Sequence, residues 1–287
     1  MALTERRLRS IRHLPMTLVA RIRDLALSQQ SHQVAICAIF KDEPKNLGEW
    51  IAFHHMVGVG HFYLYDNGSS DNFEEVLADH IRSGLVTYIN WPDYPGQISA
   101  YRDCVKRFSR HARWIAFVDI DEFLFSPQQK DLPGVLSRFG NCHALFIHSY
   151  HFGSAGHRER PKMQTTQAYT LREQIPSCGK TIANPRRIRE ISNPHMFRYW
   201  GWGHQTLNTE RQIAEPLGQC RPVDVLRINH YWSRSLADLE VKIARTDPLA
   251  RVVSEDNYRR REQKYNAVED RTIIELSAQC EAIQSRS

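Results

Sequence analysis

Trp114-Ile-Ala-Phe-Val-Asp-Ile-Asp-Glu-Phe-Leu-Phe125 is the stretch from which the fold of this chain is read. An apolar run bounded by charge predicts a buried strand. Asp119, Asp121 and Glu122 stand at its acidic end, and in open α/β sheets ligands bind beyond the carboxyl ends of the strands. On an extended chain, residues i and i+2 point to the same side, so Asp119 and Asp121 are expected to face one hard cation. Mg²⁺ and Mn²⁺ take oxygen ligands and share them with substrate phosphates. A metal–diphosphate site is the first expectation.

Upstream, Val34–Phe40 predicts a buried strand that runs into the polar turn Lys41-Asp-Glu-Pro44. Leu47, Trp50, Ile51 and Phe53 then mark one face of a helix, which Gly58-Val-Gly60 ends because glycine accepts the left-handed conformation there. His61–Tyr65 reads as a second strand, closed by the turn Asp66-Asn-Gly-Ser-Ser-Asp71. A helix over Glu74–Ser83, a strand over Val86–Asn90 and a helix over Gln97–Arg110 complete the approach to the acidic strand. This alternation predicts an α/β fold with a mixed, mostly parallel sheet flanked by helices.

Downstream the pattern loosens. Ala144–Tyr150 predicts a strand, followed by the two-glycine loop Phe152–His157. Residues 158–230 are rich in Pro, Arg, His and Trp, with strand-like runs at 167–172 and 223–228. Ser235-Leu-Ala-Asp238 is a variant capping box opening a helix, and residues 255–283 read as a charged helical tail. The expected organisation is a basic amphipathic extension at 1–32, one domain at 33–250 and a C-terminal helical tail at 251–287.

The net charge of +6 favours anionic partners without choosing among them. Six scattered cysteines without a CxxC pair argue against a zinc knuckle or a disulfide framework and suit a cytoplasmic location. No stretch approaches the ~18 apolar residues of a spanning helix, and no secretory signal is evident. The arginine-rich leader, with Leu8, Ile11, Leu14, Leu18, Ile22 and Leu25 at helical spacing, is either a surface-packed segment or a peripheral contact with the inner face of a membrane.

Four motifs in order, FKDEPKNLGEWIAFHHMVGVGHFYLYDNGSSD (40–71), QISAYRDC (97–104), WIAFVDIDEFLF (114–125) and LRINHYWSRSLADLEVKIAR (226–245), resemble glycosyltransferase family 92 and its bacterial glycosyltransferase-2-like relatives. The similarity covers about residues 34–245. It implies the GT-A fold, a Rossmann-like sandwich with a DxD metal motif, and an inverting, metal-dependent transfer from a nucleotide-sugar donor, a UDP-sugar, to a glycan or lipid-linked acceptor. By this resemblance Asp119 and Asp121 are metal ligands, Asp121 the more direct, with Asp119 also reaching ribose or a metal-bound water and Glu122 supporting the cluster.

Glu43, Asp66 and Asn67 fall in loops at the same sheet edge and are implied to hold base and ribose, although Asp-Asn-Gly also forms a turn unaided. Gln97, Tyr101 and Asp103 are implied nucleotide contacts, or packing residues of their helix. His230 is the implied third metal ligand, against a packed core histidine. The family pattern has a lysine-containing strand followed by a histidine at Lys180 and His195, with Lys180 implied to neutralise phosphate, against a surface lysine and a loop histidine. Lys242 and Arg245 face either phosphate or, as the favoured reading, solvent. An inverting transferase needs a base for the acceptor hydroxyl; Glu173, Glu190 and His157 are candidates by position only. Trp200-Gly-Trp202 is either a sugar platform or core packing.

Two rivals are weaker. A haloacid-dehalogenase-like phosphotransferase would place Thr or Val where Phe123 stands, and its motif in the first strand. A non-catalytic sugar- or nucleic-acid-binding module leaves the carboxylates idle, and no nucleic-acid partner is expected because no recognition signature is present.

Overall fold

The computed structural model of the protein describes residues 31–201, 205–215, 218–244, 255–274 and 276. The leader at 1–30 therefore lies outside the described residues, as do Trp202 and Arg245. The first half runs β1 (His32–Phe40), α1 (Pro44–Met56), β2 (His61–Asp66), α2 (Phe73–Arg82), β3 (Val86–Asn90), α3 (Gln97–Phe108), β4 (Ala112–Phe117) and β5 (Glu122–Phe125). After α4 (Leu132–Ser137) come β6 (Ala144–Phe152), α5 (Thr165–Ala168), β7 (Leu171–Arg172), β8 (Ser177–Ala183), β9 (Ile188–Ile191) and β10 (Phe197–Tyr199). The chain continues through β11 (Arg227–Tyr231), α6 (Leu236–Ala244), α7 (Glu255–Lys264) and β12 (Val268–Glu269).

Strands β3, β2, β1 and β4 lie side by side in that order and run parallel. Beyond β4 the sheet turns mixed: β8 pairs antiparallel with β4 and β6, and β6 runs parallel to β11, which pairs antiparallel with β5. The mixed, mostly parallel α/β sheet flanked by helices is thus the one expected. Alternate residues of its strands serve opposite faces. Phe62 and Leu64 of β2 meet Leu47, Trp50, Ile51, Phe53 and Leu77 of α1 and α2 on one side. Tyr63 and Tyr65 meet Ala100, Tyr101, Cys104 and Phe108 of α3 on the other. Both faces are buried, which is why these strands read as continuous apolar runs.

Gly58, at φ +102°, closes α1, and a Cβ there would sit 2.6 Å from Pro133 Cδ of α4. The helix that follows Ser235 carries the expected box: Asp238 N–H donates to Ser235 Oγ (3.1 Å) and Ser235 N–H to Asp238 Oδ2 (3.3 Å). The charged segment read as a tail packs into the same body. Its Ile273 and Leu276 are buried in the main core, β12 pairs with β7, and Asp270 accepts from Arg172 (2.6 Å) and Arg227 (3.0 Å). Among the described residues, no helix is long and apolar enough to cross a membrane, and no disulfide forms.

Candidate functional site

The stretch that opened the reading is two strands, not one. β4 ends at Phe117 and β5 starts at Glu122, and the acids occupy the turn between them. Glu122 N–H donates to Asp119 O (3.0 Å), while Asp119 N–H donates to the Glu122 side chain at Oε2 (2.9 Å). This reciprocal pair makes residues 119–122 a closed turn, so the rule for extended chains does not apply. Within this turn the two aspartates have different partners.

Asp119 faces α3 and β8. Its Oδ1 accepts from Gln97 Nε2 (2.9 Å) and, at 3.4 Å, from the Tyr101 hydroxyl; its Oδ2 takes Lys180 Nζ at 2.7 Å. Lys180 is 3% exposed and also lies 3.7 Å from Glu122 Oε2. Burial would discharge this ammonium, but Asp119 and Glu122 outweigh it and hold its pKa well above the ordinary lysine value. β8 is irregular where it pairs with β6, between His148 and Ser149. Gly179 lies in that irregularity, and a Cβ there would collide with the Ile147 carbonyl oxygen.

Asp121 faces β11 and α6. Its Oδ1 lies 3.3 Å from His230 Nε2, and its Oδ2 2.9 Å from Lys242 Nζ. Burial opposes ionisation of Asp121, yet Lys242 and His230 prevail and hold it well below the usual carboxylate range. Lys242, expected to face solvent, is thus part of the site; it also donates to Trp232 O (2.9 Å). Arg234 NH1 pairs with Glu43 Oε2 at 2.9 Å, and both Glu43 and Asp121 raise its pKa against the pull of burial. Glu122, 2% exposed, sits between the halves with Oε1 3.5 Å from His230 Nδ1. Burial pushes its pKa up to about 7.

The turn is held from behind by α1. Trp50 Nε1–H donates to Glu122 O (2.8 Å), and buried His54 accepts the Leu124 N–H at Nε2 (3.0 Å) while its Nδ1–H donates to Trp50 O (2.8 Å). Neither residue carried a sequence signal beyond its place on the apolar face of a helix.

The remaining candidates separate. Asp66 and Asn67 do lie at the carboxyl edge of the sheet, but Asp66 accepts from Ser69 N–H (2.8 Å) and Tyr88 OH (3.1 Å), and Asn67 donates to the carbonyls of Trp91 and Asp93 (2.8 Å each). Asp103 faces Tyr65 OH (2.9 Å) and Arg107, away from the acids. His195 is fixed to the backbone of β8 through Gly179 O (2.8 Å), and Trp200 is exposed. Of the three candidate bases, Glu190 is exposed and paired with Arg198 on the β9–β10 hairpin, and the His157 ring contacts Ala168 O (3.2 Å). Glu173 is fully buried and bonds to His151, whose ring packs 4.6 Å from that of His230.

Among the described residues, no group of three or more His, Cys, Asp and Glu is arranged to hold a metal ion. His230 of β11 faces two carboxylates of the acidic turn, Asp121 Oδ1 at 3.3 Å from Nε2 and Glu122 Oε1 at 3.5 Å from Nδ1. A carboxylate–imidazole pair fits a metal that takes one or two protein ligands and completes its shell with water and phosphate. Both oxygens of Asp119, like both oxygens of Asp121, have protein partners in this arrangement.

The model of glycosyltransferase family 92 matches residues 31–283. The chain belongs to that family. A family 92 protein of Oryza sativa subsp. japonica is 32% identical over 55% of this chain and 28% of its own length. One from Ricinus communis is 27% identical over 71% of this chain and 36% of its own. A galactan beta-1,4-galactosyltransferase of Arabidopsis thaliana is 34% identical over 32% of this chain and 20% of its own. The chain thus spans about a third or less of the length of these family 92 relatives. Among solved structures, S. aureus TarS 1-349 is 12% identical with a TM-score of 0.37, covering 53% of this chain and 47% of that one.

Proposed function

We propose that this family 92 chain is a metal-dependent glycosyltransferase that moves a hexose from a UDP-sugar to a hydroxyl of a glycan or lipid-linked acceptor, with inversion. The observation that carries the reading is the closed acidic turn ringed by Lys180, Lys242, Arg234 and His230 at the carboxyl edge of the sheet. Four basic side chains around this acidic turn suit a ligand that brings both phosphate oxygens and a cation. In this reading Asp121 and His230 hold the metal, and Glu122 faces the far ring nitrogen of His230 as an outer carboxylate that sets its tautomer. When bound, Mn²⁺ or Mg²⁺ acts as a Lewis acid on the departing diphosphate.

The residues of the chain supply the rest. Lys242 and Arg234 neutralise phosphate oxygens, and Lys180 with Gln97 fixes Asp119 for ribose or a metal-bound water rather than for direct ligation. Glu43 and Arg234 form one wall of the nucleotide site. The local match to galactan galactosyltransferases supports UDP-galactose and a glycan hydroxyl as the first donor and acceptor to examine. We place the reaction in the cytoplasm, with the leader touching the inner face of the membrane.

The test is a thermal-shift panel of nucleotide sugars with and without Mn²⁺. A UDP-sugar and Mn²⁺ together should raise the melting temperature beyond either alone. Stabilisation by oligonucleotides and by no nucleotide sugar would instead favour the binding-module reading.

A further inference from the structure

His151 and His230 are opposite each other on the parallel strands β6 and β11. Their rings are 4.6 Å apart, tilted by 39°. On its other side the His151 ring is stacked by Tyr265 from the C-terminal segment, at 4.8 Å and 16°. Glu173 Oε1 accepts from His151 Nδ1–H (2.8 Å), from the His151 backbone N–H (3.0 Å) and from the Ser177 hydroxyl (2.6 Å). Lys264, again from the C-terminal segment, places Nζ 2.8 Å from Glu173 Oε2.

A carboxylate with no exposed surface is costly to bury unless it is paired and hydrogen-bonded, and apolar packing would fill the same space at less cost. What the charged group adds is direction. It commits the Nδ1 proton of His151, fixes the plane of that ring, and so fixes the surface on which His230 rests. Partners hydrogen-bonded to a ligating imidazole set its orientation and affect metal affinity by about 10–100-fold when removed. His151 meets His230 by ring packing, one step further out, so the low end of that range is expected.

We propose that His151 and Glu173 are positioning residues for His230, and that the C-terminal segment, through Tyr265 and Lys264, completes this support. The proposal rests on the reading of His230 as a metal ligand. It gives the C-terminal segment a part in the site although that segment supplies none of the acids. It also accounts for Glu173, which lies too deep to meet an acceptor hydroxyl.

The experiment is a double-mutant cycle on the full chain, read by calorimetric titration of UDP at a series of Mn²⁺ concentrations, with melting temperature as the folding control. His151→Phe keeps a stacked ring and loses the Nδ1–H; it should raise the Mn²⁺ concentration needed for half-maximal UDP binding about tenfold. In a His230→Ala background the same change should cost less than about twofold, because its effect passes through His230. Equal losses in both backgrounds, or an unmoved Mn²⁺ dependence in His151→Phe alone, would overturn the positioning role. Undiminished Mn²⁺-dependent binding in His230→Ala would overturn the ligand reading, and the proposal with it. Should His151→Phe fail to fold, Glu173→Gln enters the same cycle with the same expectations.

Discussion

Acid should weaken this fold through His54, a residue that touches no acid of the site. Its ring is fully buried, donates from Nδ1 to Trp50 O and accepts the Leu124 N–H at Nε2. A second proton would have to displace that N–H, and burial pushes the pKa down to about 3. In the unfolded chain the ring titrates near 6.5, so below that pH the unfolded state binds a proton the folded state refuses. The stabilisation is complete above pH 6.5 and is lost progressively as pH falls toward 3. For a shift of this size the loss is about 2 kcal/mol by pH 5 and about 4 kcal/mol near pH 3.5.

Other buried histidines, among them His61 and His148, are depressed to about 4 and add in the same direction. The assay therefore compares urea denaturation of wild type and His54→Gln at pH 7.5, 6.5, 5.5 and 5.0. Glutamine can donate and accept without titrating. The variant should start about 1–2 kcal/mol less stable at pH 7.5, from imperfect replacement of two buried hydrogen bonds. The gap should close by about 2 kcal/mol at pH 5. Parallel curves across that range would refute the claim that His54 stays neutral in the fold.

Two further changes follow from the geometry. Lys180→Met leaves Glu122 and the partly exposed Asp119 without their buried cation and should cost about 2–3 kcal/mol of stability, below the full buried-pair penalty; thermal denaturation checks this, and a loss below about 1 kcal/mol would mean Lys180 is not buried as described. Gly58→Ala forces a side chain into φ +102° against Pro133 and should cost about 1–3 kcal/mol, measured by chemical denaturation, with an unchanged midpoint contradicting the close approach of α1 and α4.

The parallel half of the sheet was legible because each of its strands is an apolar run buried on both faces and bounded by turn residues. The acidic motif was legible as well, but not its shape. The alternation rule assumes an extended chain, and the reciprocal bonds between Asp119 and Glu122 bend the backbone there. Arg234 and Lys242 come near Asp121 from the turn after β11 and from α6, and only tertiary structure brings them there. His151 was hidden for a different reason. It lies near the end of the buried strand Ala144–Phe152, which carries two histidines, His148 and His151, and a histidine among apolar residues reads as packing. The sequence Glu255–Lys264 is almost wholly polar and reads as solvated, yet Glu262 and Asn266 bind the loop at Ser154 and Ala155, and Tyr265 enters the site. Specific polar contacts of that kind have no periodicity to detect.

Asp121 and His230 are proposed to serve a metal-assisted departure of UDP. Its most direct test is the rate of UDP release from UDP-galactose and other UDP-sugars, with glycan acceptors present, for wild type and for Asp121→Asn matched in folding by circular dichroism. Wild type should turn over only with Mn²⁺ or Mg²⁺, and Asp121→Asn should lose about a thousandfold, the scale of several kcal/mol of charge stabilisation. Turnover by wild type that is indifferent to chelator, or an Asp121→Asn rate within a few-fold of wild type, would contradict the account.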